Sequence, residues 1–292
     1  MIYMKEEILY VKIKSYWTLL KPRQTLLLTY SGFCSMMATK CIPTFSSLIM
    51  ALSALFLSIA GATILTNYVD RDIDALMKRT RHRSLPSKKI DPPSKALYFG
   101  LILLAISIPL AFYINIFFLA FLIWGVINSV LVYNILAKRK TPWNILIASP
   151  TGATPILGGW VAIKDLSIEP ILISIAIILW IPIHVWSVVL KWREDYIMAK
   201  IPMMPLKIKH GERIIAIFCF ILSIYISYIS YLLKFHINLT YILLILNIII
   251  IALSLNLFIR RTEENAWLLF KFTSPYIMLF LTIWVLNKYC GG

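Results

Sequence analysis

The stretch Leu65-Thr66-Asn67-Tyr68-Val69-Asp70-Arg71-Asp72-Ile73-Asp74 closes an uncharged, largely apolar run that begins at Leu48. The run is long enough to cross a hydrocarbon core of about 30 Å as a helix. Carboxylates at the end of such a helix are costly unless water, cations or polar partners reach them, so they mark a functional site by default. Asp70 and Asp74 are four residues apart, and Asn67 lies three before Asp70. If the helix continues past the run, all three share one face and Asp72 points away. Oxygen ligands clustered in this way suit Mg²⁺, which takes one or two carboxylates and completes its shell with water and substrate phosphates. A diphosphate is therefore the first substrate group to consider. Just downstream, Lys78, Arg79, Arg81 and Arg83 supply cations of the kind a departing diphosphate needs as charge builds on it. The plain alternative for these basic residues is a solvated loop.

The rest of the chain fits a membrane setting. Of 292 residues, 60% are hydrophobic and 14% charged, where a soluble domain carries roughly 25% charged residues. Apolar runs recur at 24–40, 44–66, 96–113, 116–136, 145–163, 170–190, 213–233, 238–258 and 267–287. The expected fold is an all-α polytopic membrane protein with about nine transmembrane helices. The formal net charge is +16, but its placement argues against nucleic acid. With a cytoplasmic N-terminus, every Lys and Arg falls inside except Lys40, Lys164, Lys234 and Lys288. This positive-inside bias predicts the orientation. All acidic residues except Asp165 and Glu169 lie on the same side, so the chemistry is expected at the cytoplasmic face of a cell-membrane protein. The start of the chain, with Lys5, Glu6 and Glu7, does not read as a cleavable signal peptide. Charged loops recur four segments apart. One domain, 1–292, is expected, with a tandem four-helix repeat of roughly 17–140 and 141–262 followed by a final helix 267–287.

A second constellation starts at His184-Val185-Trp186, runs through Lys191-Trp192-Arg193-Glu194-Asp195-Tyr196, and ends in Ile201-Pro202-Met203-Met204-Pro205. His184, Lys191 and Asp195 share a face if one helix carries all three. A membrane histidine of this kind either packs through a hydrogen bond or serves a site. Gly152, Gly158 and Gly159, with Pro150 and Pro155, interrupt the fifth segment, for close packing or for lining a cavity.

These motifs resemble the UbiA superfamily of intramembrane prenyltransferases, and within it the haem-prenylating branch. The resemblance rests on Asp70 to Asp74 with Met77, Arg79-Thr80 and Arg83; on Tyr133 to Asn144, including Lys138-Arg139-Lys140; on Gly152 to Trp160; and on the second constellation. Leu20-Lys21-Pro22-Arg23 is also similar to the family's opening. Two positions depart from the superfamily pattern. Thr66 stands where an Asn is usual, with Asn67 beside it. Lys191 stands where the first Asp of a second aspartate motif is usual, leaving Asp195.

The resemblance implies a UbiA-like helical bundle and a Mg²⁺ cofactor held by Asp70, Asp74, Asn67 and Asp195. It implies a diphosphate met by Arg79, Arg83, Lys138, Arg139 and Lys191, and a haem and prenyl pocket that includes His184, Trp186, Tyr133 and Tyr196. The implied substrates are farnesyl or geranylgeranyl diphosphate and haem b, within a lipid bilayer. The implied reaction joins the prenyl group to a haem vinyl group with addition of water. Haem-pathway enzymes or terminal-oxidase assembly factors are the implied protein partners. Other readings stay open here. They are a UbiA-type enzyme acting on a quinone precursor or archaeal lipid glycerol, an ion-coupled transporter, and a haem-binding assembly factor without catalysis.

Overall fold

A computed structural model describes residues 11, 13–41 and 43–290, and no strand occurs among them. Each predicted segment is helical. We label the helices α1 (Pro22–Ala38), α2 (Phe45–Val69), α3 (Ser94–Ile114), α4 (Ile116–Ala137), α5 (Asn144–Ala148 continued by Pro150–Val161), α6 (Ile168–Lys191), α7 (Glu212–Leu232), α8 (Ile237–Arg260) and α9 (Glu263–Cys290). Among the described residues, seven of these are long and apolar enough to cross a membrane, namely α2, α3, α4, α6, α7, α8 and α9. The protein is thus an all-helical, multi-pass membrane protein. α1 is shorter, with 17 residues, and α5 is broken at Ser149, where Pro150 restarts the helix at a position that has no need of its missing N–H.

Neighbours in sequence are neighbours in space, and α9 packs against α1, so the bundle closes into a ring. Three further contacts join helices that are not neighbours in sequence, α1 on α5, α2 on α4 and α6 on α9. The α1–α5 contact depends on glycine. A Cβ on Gly159 would stand 2.3 Å from the Gly32 carbonyl oxygen, a distance only the absence of a side chain avoids. Gly152 and Gly159 are therefore packing residues, turned to Ile181 and Gly32. The main core runs through α6, α7, α8 and α9, with Trp186, Tyr276, Phe280 and Trp284 fully buried.

Two departures from plain α-helix shape one end of the ring. The second half of α4, Ile127–Ala137, winds as a π-helix. Such wide turns collect at functional positions because they re-aim side chains. And α6 ends at Lys191: Trp192 leaves helical geometry (φ −114°, ψ 37°), and Arg193–Met198 forms a separate short helix. The expected single face carrying His184, Lys191 and Asp195 is therefore corrected. His184 and Lys191 share α6, while Asp195 has turned off it.

Candidate active site

The ends of α2, α4 and α6 and the start of α1 meet at one end of the ring. The helical path of α2 continues through the aspartates. Asp70 N–H donates to the Thr66 carbonyl at 3.0 Å, and Asp74 N–H donates to the Asp70 carbonyl at 2.8 Å. Asp70, Asp74 and Asn67 are buried, whereas Asp72 is exposed, as their spacing predicts. Each aspartate meets a cation. Lys138 donates to Asp70 Oδ2. Arg83 donates to Asp74 Oδ2 at 2.9 Å. Arg139 donates twice to Asp72, at 2.7 Å each, on the outer face. Burial disfavours the Lys138 ammonium, but Tyr133 and Asp70 more than offset this and hold its pKa above the ordinary lysine value. For Asp72 the Arg139 hydrogen bonds hold the carboxyl below its ordinary range.

Two oxygens on the buried face have no hydrogen-bond partner among the described residues, Asn67 Oδ1 and Asp70 Oδ1. The Asn67 amide is oriented by its Nδ2, which donates to the Leu19 carbonyl at 2.8 Å. Burying an acceptor without a donor costs about 1–3 kcal/mol, and a hydrated divalent cation is the chemistry that relieves two such oxygens beside a carboxylate. Asp70, Asp74 and Asn67 therefore fit Mg²⁺. Among the described residues no group of three His, Cys, Asp or Glu forms a ready metal cluster.

The structure places Asp195 differently from the expected ligand set. Its Oδ1 accepts the Lys78 N–H at 3.0 Å and its Oδ2 the Arg79 N–H at 2.9 Å. This buried carboxylate clasps the loop after the aspartates to the short helix after α6. Arg79 also reaches the Tyr196 hydroxyl at 3.4 Å. Lys191 is turned to Glu263 at the start of α9, 3.1 Å away, rather than to the aspartate face. The Asn144 amide ties the two loops from a third side, donating to the Lys138, Thr141 and Pro202 carbonyls.

One cation that the sequence offered only as part of the family-like opening, with no role, belongs to this site. Lys21, just before α1, lines a small cavity with Asn67, Asp74 and Arg83. Desolvation, with Arg83 close by, lowers its pKa from 10.5 to about 8. From sequence a single lysine ahead of a membrane helix reads as an orientation signal. Its left-handed backbone (φ 45°), which the sequence does not announce, goes with its position in the cavity.

Deeper in the bundle, His184 lies in an aromatic stack. Trp180 covers one side of the ring (centroids 4.8 Å) and Phe270 lies at 4.5 Å, itself stacked on Trp267. His184 Nδ1 meets Thr273 Oγ1 at 2.7 Å. The Thr273 hydroxyl has one proton, and it goes to the Phe270 carbonyl at 2.6 Å. Nδ1 must then be the donor, which assigns the lone pair of the neutral ring to Nε2. Trp186 is fully buried against Phe218 of α7, edge to face at 5.2 Å, as a core residue. Tyr133 stands by Lys138, with the ammonium 5.7 Å from the ring centre.

Comparison with known proteins agrees with this architecture. Residues 25–283 match the model of the UbiA prenyltransferase family. A protein named protoheme IX farnesyltransferase from Desulforudis audaxviator is 36% identical over 281 residues, covering 93% of this chain and 88% of that protein. One of the same name from Thermoplasma volcanium is 34% identical over 288 residues, covering 95% and 99%. In fold, the chain is similar to a digeranylgeranylglyceryl phosphate synthase (TM-score 0.76, 20% identity, 95% and 98% covered). It is also similar to a UbiA homologue from Archaeoglobus fulgidus bound to GPP and Mg²⁺ (TM-score 0.62, 16% identity, 92% and 99% covered). The family match over most of the chain and relatives more than 30% identical along nearly their whole length agree: the chain belongs to the UbiA prenyltransferase family.

Proposed function

We propose that this protein transfers a farnesyl or geranylgeranyl group from its diphosphate to a vinyl group of haem b, with addition of water, giving a haem O-type product and pyrophosphate. The observation that carries the diphosphate half is the buried Asp70–Asp74 face, with its two unpartnered oxygens, ringed by Lys21, Arg83 and Lys138. The acceptor half rests on the relatives named protoheme IX farnesyltransferase and on the His184 Nε2 lone pair. Asp70, Asp74 and Asn67 would hold Mg²⁺, which when bound supplies positive charge against the diphosphate oxygens. Asp195 serves this arrangement as the clasp that sets Arg79, Arg139 stays on the outer face with Asp72, and Lys191 steadies α6 against α9.

The chain's own residues then do the following. Lys21, Arg79, Arg83 and Lys138 bind the diphosphate and stabilise the charge that develops as the prenyl C–O bond breaks. The bond's electron pair leaves with pyrophosphate. The Tyr133 face, beside Lys138, would shield the allylic cation from water. The vinyl π pair forms the new C–C bond, and water captures the positive charge left beside the macrocycle and releases a proton. His184, through its Nε2 lone pair, would ligate the haem iron or orient the porphyrin. Its depth below Lys191, about 10 Å at 1.5 Å per residue, leaves the diphosphate above and the macrocycle below.

This reading places the active end on the cytoplasmic side of the cell membrane, where the basic loops are expected. It also includes nine spans and a tandem repeat, 17–140 and 141–262, with α9 closing the ring. The test is expression in a host that makes haem b, with extracted haems identified by mass. A new haem heavier than haem b by one prenyl unit plus water is expected. A prenylated quinone precursor or lipid with no new haem would overturn the assignment.

A further inference from the structure

α4 brings a third unpartnered oxygen to the aspartate face. Asn134 is fully buried in the π-helical half of α4. Its Nδ2 donates to the Thr66 carbonyl at 3.0 Å, the same carbonyl that accepts the Asp70 N–H at 3.0 Å. That bond fixes which end of the amide is nitrogen, and Asn134 Oδ1 is left without a hydrogen-bond partner among the described residues. Lys138, one turn further along α4, pairs with Asp70 Oδ2, while Asp70 Oδ1 is unpartnered. The Asn134–Lys138 edge of α4 therefore lies along the Thr66–Asp70 edge of α2. The Thr66 hydroxyl donates back along its own helix to the Thr63 carbonyl at 2.8 Å.

We propose that Asn134 is a ligand of the cation site beside Asp70, presenting its amide oxygen to a divalent cation or to one of that cation's waters. Asn67 Oδ1, Asp70 Oδ1 and Asn134 Oδ1 are all acceptors. Three buried acceptors on two facing helix edges call for positive charge or for water polarised by it. The π-winding of α4 carries both Asn134 and Lys138 on the edge that faces Asp70. The site is then shared between the two helices: α2 supplies carboxylates and an amide, and α4 supplies a neutral oxygen plus the lysine that balances Asp70. This inference rests on reading Asp70 and Asp74 as a cation site.

The test uses the full chain in lipid nanodiscs, titrated with Mn²⁺ and read by the loss of the free-ion EPR signal. Asn134→Leu is expected to weaken Mn²⁺ binding about tenfold, the effect typical of losing a supporting ligand. Asn134→Asp is expected to bind Mn²⁺ at least as tightly as the unaltered protein, because the oxygen remains and gains charge. Wild-type affinity in Asn134→Leu would overturn the inference, as would weakening by Asn134→Asp. If Asn134→Leu does not fold, Asn134→Asp and Asn134→Ser decide it: Ser should weaken binding and Asp should not. Asp70→Asn separates the two layers. Mn²⁺ binding that survives Asp70→Asn removes the cation site itself. Binding lost in Asp70→Asn but untouched at Asn134 removes only this inference.

Discussion

Asp70, Asp72 and Asp74 have the same chemistry and nearly the same sequence position, yet only the outer two face inward. Helical hydrogen bonding through Thr66, Asp70 and Asp74 is the reason, and the four-residue spacing alone foretells it. Asp70→Asn and Asp74→Asn are each expected to lower kcat/KM by at least about tenfold at saturating Mg²⁺, the scale of losing one charge-stabilising group. Asp72→Asn should change it less than about threefold, because its Arg139 pair is exposed and such pairs contribute about 0–1 kcal/mol. Steady-state kinetics on the three variants check this, and equal sensitivity would refute the inward face. His184 was legible as a site candidate, but its tautomer was not, since Thr273 lies on a helix nearly ninety positions away. Thr273→Val removes the acceptor that fixes Nδ1–H. It is expected to raise the KM for haem b while leaving that for the prenyl diphosphate unchanged, with Thr273→Ser restoring the haem KM. A rise in both would make Thr273 a packing residue only.

Helix existence and bounds were readable from the apolar runs, because a span of hydrocarbon imposes a minimum length. The interruptions were not. Nothing in the local pattern of Ile127–Ala137 sets π-winding apart from α-winding, and nothing in Lys191-Trp192-Arg193 announces the turn at Trp192. That turn frees Asp195 to accept two backbone N–H groups from the Lys78–Arg79 loop. The sequence shows an acidic residue near a helix end, and both roles, ligand and clasp, are compatible with that. The clasp predicts that Asp195→Ala leaves the helical bundle intact but loosens the loop. Amides 78 and 79 should exchange hydrogen at least about tenfold faster, corresponding to about 1.4 kcal/mol of local opening. Unchanged exchange with lost Mn²⁺ binding would instead make Asp195 a metal ligand.

Across the molecule, the ring of helices gathers the loops rich in acid and base at one end, and charge placement along the sequence already shows this clustering. What it could not show is the closure of α9 onto α1 or the crossing of α1 over α5, which rests on the backbone contact of Gly159 with Gly32. In the proposed reaction this closure would enclose the acceptor with helices, and the chemistry needs that enclosure. Water has to be kept from the first cation and admitted to the second. The most direct measurement is therefore made on the purified protein in nanodiscs with haem b, farnesyl diphosphate and Mg²⁺, in water enriched in oxygen-18. The expected product is haem b plus one farnesyl unit plus one water, its mass raised by the heavy oxygen and its formation matched one to one by pyrophosphate. Pyrophosphate released with farnesol and no altered haem, or a prenylated haem without oxygen-18, would contradict it.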